Sequence, residues 1–410
     1  MALHIGLGSL ESSRDTFWSR ISSILGDTPV LPCLEVISFT SFGNCRTSLF
    51  DTGALGLLSP SVREMCIRFD QVDPREEAWF RNVFSSSLST TPNLEKLSVR
   101  VSSCPPVDLN LLSQSHPRLR HLEVDAKIDP GYLTSVASLP GLEHLSIRLW
   151  GIFRAPLRFQ RLQRLEISAY ELDAICALVH YVDAPRLCDF SIRSTHGHSG
   201  NLLTDLSQCL NVLISGRFPS FTAFHWNCRQ LGDRKYGYDG TRHPGGTLAE
   251  LMEPLLSLQT LRRLSLDFSG TIVPYSSADF RRMAEAWPGL ETLSLTHGSG
   301  SGVENDPVQY GDLECFVSFA RNCPRLRTLR IPRVKIDPNA DTRIAPLDTR
   351  HNLRDLNVDT ILGPEEPQWD ASRLEQVLRG CIEDIFPFAA VHLPISINVW
   401  AQYFAKAHNV

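Results

Sequence analysis

The sequence predicts an α/β fold built as a repeat solenoid, a curved horseshoe with parallel strands on its concave face and helices on its convex face. Three observations predict it. One short apolar block recurs along most of the 410 residues. Its twelve copies keep a mean spacing of 29 residues from Leu34 to Leu353. Most copies follow a Pro, where a helical pattern gives way to an extended one. Length alone permits two or three ordinary domains or one long array. A repeat of this period favours the array.

The block reads apolar-x-x-apolar-x-apolar. Degenerate copies open the array at Leu34/Ile37/Phe39 and Val62/Met65/Ile67. Strict copies follow at Leu94/Leu97/Val99, Leu119/Leu122/Val124, Leu142/Leu145/Ile147 and Leu162/Leu165/Ile167. Leu187/Phe190/Ile192 and Phe221/Phe224/Trp226 are again degenerate. The array closes on Leu261/Leu264/Leu266, Leu290/Leu293/Leu295, Leu326/Leu329/Ile331 and Leu353/Leu356/Val358. This is the signature of about twelve leucine-rich repeats. In each strand the fourth and sixth residues point one way and their neighbours the other. The apolar set goes inward, and the third, fifth and seventh residues line the open face.

Between blocks the spacing predicts helices over 74–89, 171–181, 202–214, 248–258, 277–286 and 313–322. Asp205, Asp279 and Asp312 suit helix starts. No single strand–loop–helix unit can bury its own apolar face, so stacking supplies the core. Residues 1–30 are expected to form a helical cap, with Phe17, Ile21, Ile24 and Leu25 on one face. Residues 31–360 form the solenoid. Residues 361–410 form a terminal repeat and cap, with helical stretches over 371–386 and 395–406.

Composition narrows the function. Lys plus Arg is 40 against 45 for Asp plus Glu, a net charge of −5. With no basic tail, that argues against nucleic acid as the partner. The 11 Cys form no CxxC pair, which excludes a zinc signature and a disulfide framework. They read as buried thiols in a reducing compartment. The N-terminus lacks the basic segment of a signal peptide. No apolar run approaches the ~20 residues of a membrane span. The expectation is a monomeric intracellular protein, cytoplasmic or nuclear, without membrane contact. No GxSxG elbow or P-loop is present, and His196 and His198 lack further ligands at a diagnostic spacing. Neither an enzyme nor a metal or other cofactor is expected.

The stretch FVSFARNCPRLRTLRI (316–331), the SLP and AWP junctions at 138–140 and 286–288, and the last block with its loop and helix (351–387) carry a resemblance. The pattern over about residues 30–390 resembles the leucine-rich-repeat region of F-box proteins, most closely the fungal set. That resemblance implies the substrate-recognition region of an SCF-type ubiquitin-ligase receptor. F-box proteins carry an N-terminal module that docks on a Skp-type adaptor. Nothing ahead of the first block reads as that module, so adaptor binding is expected only if an F-box exists outside this chain. The position that the family subtype fills with Asn or Cys holds Ser102, Lys127, Trp150, Thr195, Arg229, Ser269, Gly298 and Val334 here. An alternative without ubiquitination is a leucine-rich-repeat scaffold, and a third reading is a regulator of a small GTPase.

The candidate site is the open face. Its basic members are Arg68, Lys96, Arg100, Arg148, Arg164, Arg193, Arg263 and Arg330, with His121, His144 and His225 beside them. Its acidic members are Glu64, Glu123, Asp125, Glu166, Asp189, Asp267, Asp355 and Asp359, eight against eight. Arg presents bidentate donors to carboxylate and phosphate, so the expected partner is a protein with acidic or phosphorylated segments. Arg100, Arg148 and Arg193 are expected in one row. Long loops at 195–201, 227–246 and 296–311 extend the rim.

Overall fold

The structure is a computed structural model. It describes residues 1–7, 24, 26, 30–41, 57–69, 77–101, 107–126, 128, 130–170, 172–194, 202–214, 217–228, 246–268, 273–297, 310–336, 351–363 and 371–393. The chain divides into two compact units, Met1–Cys188 with Arg217–Pro219, and Asp189–Gly216 with Ser220–Val410.

In the first unit β1 (Ala2–Leu7), β2 (Val36–Ser41), β3 (Glu64–Phe69), β4 (Lys96–Val101), β5 (His121–Asp125), β6 (His144–Leu149) and β8 (Arg164–Ala169) run side by side. Every pairing is parallel. A two-stranded sheet pairs β7 (Leu157–Arg158) with β9 (Val182–Asp183). The helices are α1 (Glu77–Thr90), α2 (Asn110–Ser115), α3 (Pro130–Ala137) and α4 (Leu172–Tyr181).

The second unit places β10 (Asp189–Ser194), β11 (Ala223–Cys228), β12 (Arg263–Phe268), β13 (Thr292–His297), β14 (Thr328–Lys335), β15 (Asp355–Leu362) and β16 (Ala390–His392) in sequence order, again all parallel. Its helices are α5 (Leu202–Leu213), α6 (Leu248–Met252), which tightens into a 3-10 turn over Glu253–Ser257, α7 (Ser277–Ala286), α8 (Glu314–Asn322) and α9 (Ala371–Ile385).

All twelve blocks are strands, and the leucine-rich-repeat reading stands. The three apolar positions of every block are buried, none more than 3% exposed. Register stacks like on like. Ile37, Met65, Leu97, Leu122, Leu145 and Leu165 form one inward row of the first unit. Phe190, Phe224, Leu264, Leu293, Leu329 and Leu356 form its counterpart in the second. Each such side chain is worth roughly 1.5–3 kcal/mol when fully buried. Trp226 packs edge-on against Phe268 at 5.2 Å.

The Pro at each junction has a more specific job than stopping a helix. It occupies the second position of a β-turn whose fourth residue opens the block. Leu94, Leu119, Leu187, Leu290 and Leu326 donate N–H to the carbonyls of Thr91, His116, Ala184, Trp287 and Cys323 at 3.0–3.2 Å. Proline's fixed φ suits that position, and the turn does not use the N–H that Pro lacks. The turn's first residue is buried in the array. Trp287 adds a 3.0 Å indole bond to the Leu255 carbonyl. His116 and His351 bond through Nε2 to the carbonyls of Leu88 (3.1 Å) and Cys323 (2.8 Å).

Several expectations need correction. Residues 2–7 are a strand paired with β2, so the segment 1–30 does not begin as a helical cap. Ile24, the only described member of the expected apolar helical face, is exposed. Leu3 and Ile5 alternate with Ala2, His4 and Gly6, the period of a strand. At the other end α9 bears out the helix expected over 371–386, and β16 adds an unanticipated strand. The stretch 395–406 lies outside the described residues. Asp279 is not a helix start. Ser276 is the cap, and its hydroxyl accepts from the Asp279 N–H while Asp279 accepts from the Ser276 N–H at 2.7 Å. Asp205 is the fourth residue of α5. Asp312 lies one residue ahead of the cap of α8, Leu313, and accepts from the Glu314 N–H at 2.9 Å.

Candidate interaction surface

The strands alternate sides, so register alone places the open face. In the first unit three rows cross it. Val36, Glu64, Lys96, His121, His144 and Arg164 form the third-position row. Ser38, Cys66, Ser98, Glu123, Ser146 and Glu166 form the fifth. Thr40, Arg68, Arg100 and Asp125 begin the seventh, which Arg148 and Ser168 continue. Every basic residue and histidine singled out in this unit is exposed or half-buried.

The cations do not form an isolated basic stripe. Lys96 reaches Glu64 at 3.5 Å, Arg148 reaches Asp125 at 2.9 Å and Arg164 reaches Glu166 at 4.0 Å. Arg100 donates Nε (3.0 Å) and Nη2 (2.5 Å) to one Glu123 oxygen, while Ser98 donates to the other at 2.9 Å. Burial alone would raise the Glu123 carboxyl. The hydrogen bonds from Arg100 and Ser98 and the Arg100 charge outweigh it and hold the group below the usual carboxylate range. The Glu123 hydrogen bond in turn raises Arg100, against a smaller opposing effect of burial. Arg100 and Arg148 do share a row, but Asp125 stands between them. The imidazoles of His121 and His144 meet edge to face at 5.7 Å.

The second unit repeats the pattern around a buried carboxylate. Asp189 is only 6% exposed, with Arg263 at 3.4 Å and His225 at 3.5 Å. A buried carboxylate needs such partners, so Arg263 and His225 support the fold at this position. Arg330 makes two bonds to Asp359, at 2.9 and 3.1 Å. Arg193 is exposed and in register with Asn227, in a row of this unit. The loops at 195–201 and, for most of their length, 227–246 and 296–311 lie outside the described residues.

Sequence reasoning missed one feature of this face. A depression of about 370 Å³ opens over β1–β5 of the first unit. Its floor follows the fifth-position row, His4, Ser38, Cys66, Ser98 and Glu123, and Glu64, Lys96, Arg68 and Arg100 stand at its sides. His4 escaped notice because β1 carries no block. The alternation in ALHIGL was its available signal. Among the described residues no group of three metal-ligating side chains exists, and no helix is long and apolar enough to cross a membrane.

No protein-family model matches the chain, and no curated protein matches it. Among solved structures, the chain is similar to an internalin (inlF) from Listeria monocytogenes, at 11% identity and a TM-score of 0.36 over 79% of this chain and 80% of the other. It is also similar to the protein in a TLR13–ssRNA13 complex, at 14% identity and a TM-score of 0.36. That match covers 88% of this chain, which spans about half (53%) of the other's length. Likeness at this level carries no argument about what the chain binds. The fold itself, parallel strands of a leucine-rich-repeat solenoid backed by helices, is read from the register and burial above.

Proposed function

We propose that this protein is a non-catalytic protein-interaction module whose open sheet face is its recognition surface. One observation carries the reading: in each unit, polar and charged side chains stand outward strand after strand above a buried apolar layer. A regular array of this kind offers a partner many hydrogen-bond and ion-pair contacts on a rigid base. The partner's contact segment is acidic or phosphorylated, and recognition needs neither cofactor nor nucleic acid.

The finer reading follows from the F-box resemblance: the module acts inside the cell as the substrate-recognition part of a ubiquitin-ligase receptor. A scaffold unconnected with ubiquitination is the second reading. Purified full chain mixed with purified Skp-type adaptor separates the two. Stoichiometric complex on gel filtration supports the ligase reading through these residues, ligase subunits among the partners labelled in cells support it through an F-box outside them, and the absence of both supports the scaffold. The surface is tested by proximity labelling in cells, comparing the natural chain with an Arg100→Glu/Arg148→Glu variant that melts normally. Loss of the labelled partners is expected. Unchanged partners would move recognition off this face.

A further inference from the structure

One stretch of the first unit departs from the even charge of the face. Between Glu143 and Glu166 the chain carries Arg148, Arg154, Arg158, Arg161 and Arg164 and no Asp or Glu, although the whole chain has a net charge of −5. Arg148, Arg158 and Arg164 meet carboxylates from outside the stretch, Asp125 at 2.9 Å, Asp183 at 3.5 Å and Glu166 at 4.0 Å. Arg154 is exposed and forms no ion pair among the described residues.

Large apolar side chains stand in the open in the same stretch. Trp150 is 43% exposed and Ile152 49%. Single exposed apolar residues are ordinary, but a cluster marks a contact surface. Trp150 meets Tyr170 with ring centroids 5.0 Å apart and planes tilted by 57°. Register explains the meeting. Leu149 pairs with Ala169 as the last step between β6 and β8. Trp150 and Tyr170 come next, two residues past Arg148 and Ser168, and alternate residues of an extended chain share a side. The aromatic pair thus ends the row that holds Arg148 and Ser168 on the open face. Packed on each other, the rings lose little further freedom when a partner covers them, and Trp and Tyr are among the side chains that most often dominate binding.

We propose that Trp150, Ile152 and Tyr170 anchor the recognition face, taking an apolar side chain from an extended acidic segment of a partner protein whose carboxylates meet Arg148 and Arg154. The charge of the stretch selects the occupant, since an acidic segment complements it and a basic one is repelled. Spacing agrees. Same-side residues of an extended partner lie roughly 6.7 Å apart, the step from Arg148 to Trp150 in an extended chain. Arg148 keeps Asp125 and takes the partner's carboxylate through its remaining donors. The inference rests on the reading of this face as a recognition surface, and it names the segment that fits at this end of its rows.

Calorimetry on the full chain tests it with three short peptides: Phe among Asp and Glu, Ser among the same acids, and Phe among Lys. The acidic Phe peptide should bind at least about tenfold tighter than either of the others, and more weakly as salt rises. Trp150→Ser and Ile152→Ser should each lower the preference for Phe over Ser, and Arg154→Gln should weaken both acidic peptides alike. All three side chains are exposed, so the variants should fold, and melting confirms it. Arg379→Gln on α9 should change nothing. Equal affinity for the three peptides, or an unchanged Phe preference in the folded Trp150→Ser and Ile152→Ser variants, overturns the proposal. So does binding to vesicles of phosphatidylcholine and phosphatidylserine with none to the peptides, which would make the stretch a membrane contact. In cells, partners lost from the Arg100→Glu/Arg148→Glu variant but kept by Trp150→Ser would overturn the anchor alone. Partners kept by both would overturn the reading of the face as well.

Discussion

At the scale of single residues the structure separates positions that sequence treats alike. The histidines show it. His121, His144 and His225 stand on the open face, whereas His116 and His351 are buried and hydrogen-bonded to carbonyls of the preceding repeat. Burial lowers the pKa of both buried imidazoles, against the weaker opposite pull of the carbonyls. Each is therefore neutral in the fold, while the unfolded chain takes up protons below about pH 6.5. Where the unfolded state binds more protons, stability falls as pH falls. The fold keeps the full contribution of these two residues above about pH 6.5 and loses it progressively below. The loss is at most about 1.4 kcal/mol per pH unit for each. Urea unfolding at pH 7.5 and 5.5 should show this drop, and a His116→Leu/His351→Leu variant should show a smaller one. An identical pH dependence in the variant would mean that both imidazoles protonate inside the fold.

At the scale of elements, legibility followed the strength of the local signal. Strands were legible because three buried positions per block repeat at fixed spacing. Even Phe221/Phe224/Trp226 could be placed by its apolar character. Helices α2 and α3 were not, since six and eight residues give too little periodicity to read. Strands β1 and β16 pair at the sheet ends without carrying a block, so repeat-finding passes over them. The face was legible and its pairing was not. That Glu123 would take Arg100, or Asp189 take Arg263, depends on which strands become neighbours. Helix α7 offers a test of an element's own chemistry. Its reciprocal cap joins Ser276 and Asp279 at the start of a helix whose Phe280 and Met283 are buried. Ser276→Ala should cost about 1 kcal/mol in urea unfolding. Asp279→Ala should cost a similar amount, and the double variant less than the sum, because each removal disables the other half of the box. Full additivity would show that the two residues act separately.

At the scale of the whole molecule, each unit is stabilised by nearest-neighbour stacking. Within each unit the strands of the long sheet bond to their neighbours in that sheet, and charged side chains just ahead of the strands follow the same rule. Arg63 meets Glu95 at 3.3 Å, Arg120 meets Glu143 at 3.9 Å and Arg262 meets Glu291 at 3.6 Å, each Glu standing just ahead of the next strand of the sheet. Contacts of this range make stability approximately a sum of repeat and interface contributions. Leu145 is 1% exposed, on β6 and in register with Leu122 and Leu165. Leu145→Ala removes a packed side chain from that row and should cost about 2–5 kcal/mol. The cost should be felt locally. Hydrogen exchange in native buffer should rise most in β5, β6 and β8, and much less in β2 and β3 of the same unit, because partial openings nearest the cavity gain most. A uniform rise across β2–β8 would mean that the first unit opens only as a whole. The open face would then be rigid along its length, and a partner would meet all of its rows or none.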